Sequence, residues 1–477
     1  MDLGRGNGGI GGWARLFALT TLLFLLAVVL PLPSFAEGSG GRGSFLSISD
    51  LHFDPYADPA LLTRLESAEP AQWKAIFESS QRTGFGAYGH DTPYALLRST
   101  LQAMRLVDPA PDFIIFTGDF LAHDFMELFN KYGRDKSGAA YRRFVEKTVD
   151  FLAAEFSASF PATPIVPALG NNDSDCGDYG IEPGGGFLKA FAKAWSPLVG
   201  RNGNAASFAE TFPVAGYYSV ANPALRGRRL VVLNANIFSP KARNCGAAGP
   251  GDHGAEELCW LEWTLYQSHL KGEKVWILYH EPVGVDVYAS LRGKGECRTN
   301  VKMMLKEGYN AALLRIMGNN ATIIDASFSG HTHMDDFRLV PGGDSPLLFT
   351  HITPSVSPVF GTNPAFQRFV FQRESGAIID YATYFLKNFQ AAKSAGDALW
   401  EKEYDYGQAY GQKGYTPATL RSLYGIMAGS AAPRADYMRF YSSGSATGIT
   451  DENWQAYWCA IGNMTAESFS SCYCRGK

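Results

Sequence analysis

The chain has 477 residues, 46% hydrophobic and 18% charged, an ordinary globular composition with room for one large enzyme domain and an appendage. Its 42 basic and 46 acidic side chains leave a formal charge of -4 with no long run of one sign. That balance excludes the basic surface expected of a nucleic-acid-binding protein.

Residues 1–36 read as a cleaved signal peptide. Arg5 and Arg15 form a basic start, Leu16 to Leu30 is almost wholly apolar, and Ser34-Phe35-Ala36 offers a cleavage site before Glu37. An apolar run of about 15 residues is short for a spanning helix, which needs about 20. The expected location is therefore secreted or periplasmic, with no stable membrane insertion after cleavage. Residues 37–44 form a Gly/Ser-rich linker. Strands are then expected at Phe45–Ser49, Phe113–Thr117, Ile165–Leu169, Tyr217–Val220, Leu230–Asn236, Val275–Tyr279, Thr322–Phe328 and Leu347–Ile352. Helices are expected at Pro93–Val107, Tyr141–Phe160 and Cys259–Lys271. The alternation indicates an α/β fold with a layered sheet core over residues 45–373. Past about residue 373 the texture changes. Ala382 to Tyr424 looks helical, and residues 374–477 read as a helical, Cys-bearing extension.

Export permits disulfides. The seven cysteines include no CxxC pair, so structural bridges are expected, with at least one thiol left over. Spacing suggests Cys245 with Cys259, and Cys459 with Cys472 or Cys474. The sequons Asn320-Ala321-Thr322 and Asn463-Met464-Thr465 carry no weight in a bacterial chain, which the style of the signal suggests.

Five strand ends run into residues that bind metals: Asp50-Leu51-His52, Gly118-Asp119, Gly170-Asn171-Asn172-Asp173, His280, and Gly330-His331-Thr332-His333. The glycines are expected to allow sharp turns there. Ligands in open α/β sheets gather at such carboxyl ends. Each fragment alone is a common polar turn, but four of the nine histidines lie in this set. Mixed imidazole and carboxylate donors suit zinc, manganese or iron better than calcium or magnesium. The donors exceed what one tetrahedral site needs, which points to two divalent metals, zinc first. By contrast His90, His253 and His269 read as loop or surface residues, and His351 as a strand-end residue that could border a pocket.

In its order and spacing this set resembles the calcineurin-like metallophosphoesterases. Gly118 to Asp124 (GDFLAHD), Gly330 to Phe337 (GHTHMDDF), Thr353-Pro354-Ser355 and Asn363-Pro364 are similar to landmarks of the acid sphingomyelinase-like branch. The resemblance covers residues 44 to 372; beyond them the tail matches the branch only in being helical and Cys-bearing. It implies a four-layer αββα sandwich with a C-terminal helical extension. It also implies that Asp50, His52 and His333 bind one metal, that Asn171, His280 and His331 bind the other, and that Asp119 bridges them. A metal-bridging hydroxide would attack phosphorus.

Two features depart from the pattern. Asn172 stands where the family has an acidic histidine, and an amide cannot donate a proton to a leaving group. His123, with Asp124 orienting its ring, becomes the expected proton donor, and good leaving groups become the expected preference. Gly-Asn-Asn-Asp does resemble the variant in fungal endopolyphosphatases of the same branch. A saposin-like lipid-presenting domain, found in true acid sphingomyelinases, is not expected between the signal and the first strand. Three readings follow: a phosphodiesterase or phosphatase, an endopolyphosphatase or nucleotide phosphoanhydride hydrolase, and a non-catalytic protein binding metal and phosphate. The expected partner is a small phosphorylated substrate or polyphosphate.

Overall fold

The computed structural model describes residues 41–474 apart from 204, 247–250, 295, 343–346 and 447. The signal peptide and residues 37–40 of the expected linker lie outside the described residues, and residues 42–44 already belong to the first strand. The strands that matter, in chain order, are β1 (Arg42–Ile48), β2 (Phe113–Phe116), β3 (Ile165–Pro167), β4 (Tyr218–Ala221), β5 (Arg228–Val232) and β6 (Lys274–Leu278). They continue with β7 (Ile324–Ser329), β8 (Asp336–Val340), β9 (Leu348–Ile352), β10 (Ala365–Gln372), β11 (Ile378–Leu386) and β12 (Trp400–Asp405).

They form two six-stranded sheets, ordered β12-β11-β10-β1-β2-β3 and β8-β9-β7-β6-β5-β4. In the first, β1, β2 and β3 run parallel, while β10, β11 and β12 add antiparallel neighbours. In the second, β5, β6, β7 and β9 are parallel and the outer strands β4 and β8 are antiparallel. Parallel strands need both faces covered, which is why these segments read as near-continuous apolar runs.

The faces separate cleanly by residue parity. Trp276 and Leu278 of β6 join the core between the sheets, whereas Val275 and Ile277 join the outer core. Between the sheets Phe45 stacks on Phe113 and Phe369 at 4.9 and 4.7 Å. From the opposite sheet Trp276 and Phe328 meet Phe45 at 5.4 and 5.6 Å. Outside the second sheet, Leu261 and Leu265 of the helix His253–Leu270 and Leu313 and Met317 of the helix Glu307–Asn319 cover β6. On the other side the helices Tyr94–Val107, Gly138–Ser159 and Gly186–Val199 cover the first sheet. The result is the expected four-layer sandwich.

Two expectations need correction. Residues 378–386 and 400–405 are strands rather than helix, and β11 pairs with β10 across the expected boundary near residue 373. Sheet packing buries Ile378, Tyr381 and Phe385 of this segment, which local helix propensity cannot anticipate. Helical character begins in earnest at Pro417–Gly429 and continues through Ala431–Tyr441, Trp454–Gly462 and Ala466–Tyr473. The disulfides also differ. Cys245 pairs with Cys176, not with Cys259, which is free and exposed. Cys459 pairs with Cys472, one of the two expected choices, and Cys474 bridges 177 positions back to Cys297. Spacing along the chain missed both long-range bridges because folding brings those cysteines together from distant segments.

Candidate metal centre

The strand-end loops meet in one place, and their backbone is strained to do so. Asp50, His52, Asp119, His331 and His333 all have φ between 45° and 70°. The left-handed region costs a non-glycine residue roughly 1–2 kcal/mol. Such strain persists where the surrounding structure over-determines it, and it clusters at functional sites. One of the three glycines does the expected job and two do another. Gly118 does need its φ of 104°. A Cβ at Gly170 would run into the Asp119 carboxylate, and one at Gly330 would overlap the Ser49 hydroxyl. Those two positions are glycine for close approach.

Donor atoms converge from all five loops. Asp119 Oδ2 lies 3.2 Å from both His52 Nε2 and His280 Nε2. His333 Nε2 is 3.2 Å from His52 Nε2 and 3.3 Å from Asp50 Oδ1. Asn171 Oδ1 is 2.9 Å from His331 Nδ1 and 3.2 Å from His280 Nε2. Donors around one tetrahedral ion, each about 2.0–2.2 Å from it, are spaced about 3.3–3.6 Å apart. The observed spacings of 2.9–3.3 Å lie at or just below the short end of such edges, so small outward shifts would bring the donors to coordination distances, with Asp119 touching both groups.

Surrounding bonds aim these atoms. His52 Nδ1 donates to Leu121 O at 3.0 Å and His280 Nδ1 to Thr117 O at 2.7 Å, which leaves both Nε2 lone pairs facing inward. The Asp173 carboxylate accepts from the backbone N–H groups of Gly170, Asp119, Phe120 and Leu121, tying the second and third loops together. Asn171 Nδ2 donates to Asp178 Oδ1 at 2.7 Å, which turns the amide oxygen toward the imidazoles.

Burial and mutual repulsion favour the ligand forms. Burial drops His52 to about 4 and His331 to about 3, and holds His333 well below the ordinary imidazole value. Burial raises Asp119 too, but His280 and His52 beside it hold it well below the usual carboxylate range. Conversely, burial would lower His280, yet Asp119 lifts it to about 10. Burial, with the Asp119 charge adding, raises Asp50 to about 7. Metals bind the deprotonated forms, so an ion would displace the His280 and Asp50 protons.

His123 stands beside this group. Its ring stacks on His52 with centroids 4.0 Å apart and lines the adjoining cleft. Its Nδ1 bonds Asp91 Oδ1 at 3.1 Å, and Ser357 Oγ also donates to that carboxylate. Asp91, not Asp124, therefore orients the ring. Asp124 is exposed and occupies the left-handed position that starts the helix Phe125–Tyr132. Asn172 lies against the shared carboxylate: its backbone N–H and its Nδ2 donate to the two Asp119 oxygens at 2.8 and 3.1 Å. The side chain helps to hold the shared carboxylate. Sequence reasoning passed over Asp91 and Asp178. Asp91 sits in the loop already noted after His90, but Asp178 carried no local signal.

The cleft over these residues has a volume of about 600 Å³ and takes in Tyr179, Lys241, Tyr288 and Phe360 as well. A larger hollow of about 860 Å³ is lined by Asp54, Arg82, His90 and Arg98 and reaches Asp91 from the far side. It holds none of the converging donors. His351 borders neither, because Tyr415 OH at 2.6 Å and Gln367 Oε1 at 2.7 Å bracket its buried ring. His253 bonds Glu256 on the protein surface.

The sequence pattern described as calcineurin-like phosphoesterase matches residues 43–335. The chain belongs to that family. Residues 346–477 match the acid sphingomyelin phosphodiesterase C-terminal region, so the tail shares more with the branch than helices and cysteines. The chain is 27% identical over 465 residues to the acid sphingomyelinase-like phosphodiesterase 3b of Homo sapiens, covering 94% of each. It is 27% identical over 451 residues to the cyclic GMP-AMP phosphodiesterase SMPDL3A of Mus musculus, covering 92% of this chain and 93% of that one. Among solved structures, a dimetal phosphatase from Danio rerio is similar at 13% identity and a TM-score of 0.40, covering 76% of this chain and 99% of that one. The protein is thus a metallophosphoesterase, a phosphoester hydrolase of the acid sphingomyelinase-like group. Its family works with a dinuclear metal centre, for which this chain carries candidate ligand groups.

Proposed function

We propose that the protein is a secreted or periplasmic phosphodiesterase with Asp50, His52 and His333 at one metal and Asn171, His280 and His331 at the other. Asp119 serves both, and zinc is the first choice of metal, with manganese or iron as alternatives. The observation that carries this reading is the convergence of the donors at 3.2–3.3 Å around Asp119 Oδ2 and His333 Nε2. Two such ions would supply Lewis acidity and a nucleophile available near neutral pH.

The chain's own residues supply the rest. Asn172 and Asp173 hold Asp119 and its loop in place. Asp91 binds Nδ1 of His123, which leaves Nε2 as the atom that delivers a proton to the departing oxygen. A cleft of about 600 Å³ accommodates a diester with substantial groups on both sides of phosphorus. The relatives named as phosphodiesterases support that class. Three disulfides suit an oxidising compartment. In this reading residues 45–373 carry the catalytic centre and residues 374–477 support it.

The test is hydrolysis of bis-p-nitrophenyl phosphate by purified, zinc-loaded protein, with metal content measured on the same sample. Turnover is expected with about two metals per chain, and Asp119→Asn should lose both. Protein that holds two metals yet hydrolyses no aryl phosphate would favour the non-catalytic metal-binding reading.

A further inference from the structure

Three of the nine large apolar side chains that stand exposed among the described residues lie on one helix, His253–Leu270, outside the second sheet. Trp263, Tyr266 and Leu270 are 60%, 52% and 61% exposed, and the free thiol of Cys259 is exposed on the same helix. Steps of four, three and four residues keep these four side chains within about 60° of arc. The Trp263 and Tyr266 rings lie side by side, 5.9 Å apart. The opposite face carries Leu258, Leu261 and Leu265 into the outer core. The helix is thus apolar on two faces, and the sheet covers one of them.

The charges beside the exposed stripe are sorted along it. Glu256 and Glu262 lie in the N-terminal half, His269 and Lys271 at the C-terminal end, and all four are exposed. At about 3.6 residues per turn Glu256 shares one side of the stripe with Lys271, and Glu262 shares the other with His269. When two copies of such a helix meet face to face and antiparallel, equal sides come together and opposite ends align. Glu256 then faces the partner's Lys271, and Glu262 faces the partner's His269. Parallel packing would set acid beside acid. Glu256 already meets His253 at 2.8 Å and Glu262 meets Arg315 at 3.0 Å, but exposed pairs of this kind are worth little and exchange readily. A lipid surface, the other taker of exposed Trp, Tyr and Leu, favours a basic rim, which the two glutamates oppose.

We infer that this face binds a second copy of the chain, as an antiparallel helix pair about a two-fold axis level with Thr264 and Leu265. A two-fold contact must be complementary to itself. The stripe meets that condition: Trp263 packs on the partner's Tyr266, Cys259 lies opposite the partner's Leu270, and both pairings share one midpoint. Aromatic side chains offer about 150–250 Å² each, so the exposed parts of the stripe amount to roughly 300–400 Å² per copy. The flanking residues add to this, but the total stays below the roughly 800 Å² per partner of a standard interface, and the pair is weak and reversible.

The test is a covalent trap. Leu270→Cys places a new thiol opposite the partner's Cys259. Glutathione disulfide is the oxidant: each bridge formed passes two electrons and two protons to it and releases two glutathione thiols. Leu270→Cys should become a covalent dimer, and peptide mapping without reduction should join Cys259 to position 270. Neither wild type nor Leu270→Cys combined with Cys259→Ser should link. Equal positions lie roughly 16 Å apart across the axis, eleven residues at about 1.5 Å each, and a disulfide spans at most about 7 Å between Cα atoms. Positions 259 and 270 of one chain are as far apart, so the bridge reports only a second copy. Without oxidant, sedimentation at about 200 µM should show reversible dimer for wild type and monomer for Trp263→Lys, with melting temperatures alike. A monomeric wild type at that concentration, a dimer that persists in Trp263→Lys, or a Cys259–Cys259 bridge in wild type would each overturn the inference. So would a monomeric wild type that co-sediments with phosphatidylcholine–phosphatidylserine vesicles, which would assign the stripe to a lipid surface.

Discussion

Asp178→Ala removes the carboxylate that accepts a 2.7 Å hydrogen bond from Asn171 Nδ2. An amide can face the imidazoles with its oxygen or with its nitrogen, and only the oxygen is a metal donor. A carboxylate only accepts, so Asp178 forces the NH₂ outward and the oxygen toward His331 and His280. Without it the flipped amide competes, and part of the population presents an N–H to the metal. Loss of an outer partner of this kind typically costs 10–100-fold in metal affinity. Asp178 is exposed, so water replaces part of the lost bond and the expected effect is the low end, about tenfold or 1.4 kcal/mol. Chelator competition followed by elemental analysis reads this directly. One metal should weaken and the other stay, because Asn171 lies in only one of the two proposed ligand sets. Asp178→Asn, whose amide oxygen still accepts, should recover most of the affinity. Equal weakening of both metals, or of neither, would refute the reasoning.

Three further outcomes are expected. His123→Ala should lower turnover of bis-p-nitrophenyl phosphate by about 10²–10⁴ with both metals retained, and Asp91→Asn should give a smaller loss of the same kind; metal loss in either variant, seen by elemental analysis, would make the pair structural. Peptide mapping without reduction should find Cys176–Cys245, Cys297–Cys474 and Cys459–Cys472, with Cys259 alkylated as the free thiol; a Cys245–Cys259 peptide would contradict the fold. Burial pushes the Glu403 carboxyl from 4.5 up to about 9, with Asp335 adding to the shift and Arg439 opposing it, and neither oxygen finds a hydrogen-bond partner. The folded chain then keeps a proton that the unfolded chain releases, so this group's contribution to stability is fully present below about 4.5 and is lost as pH rises toward about 9. Melting temperatures across that window should show Glu403→Gln gaining on wild type as pH rises; parallel curves would show that Glu403 is not the group responsible.

The convergence of candidate donors was legible because each donor follows a strand with strong local character. Phe113–Phe116 and Lys274–Leu278 announce themselves by apolar runs, and the chemistry follows directly in Gly118-Asp119 and His280. Strand ends at one edge of layered sheets have few places to go, so order along the chain implied convergence. The supporting residues were not legible. Asp91 lies 32 positions from His123, and Asn172 lies 53 from Asp119, so no spacing rule connects them.

The sequence by itself therefore determined the class of chemistry and the two-layer strand core, since both reside in short segments with their own periodicity and donor types. Tertiary structure alone decided how those donors are aimed. It set Asn172 against Asp119, and placed Asp91 rather than Asp124 behind His123. It also drew Ile378–Leu386 and Trp400–Asp405 into the first sheet, and bridged Cys474 to Cys297. Each of these depends on which distant side chain ends up within about 3 Å in the packed interior, a relation that local propensity does not encode.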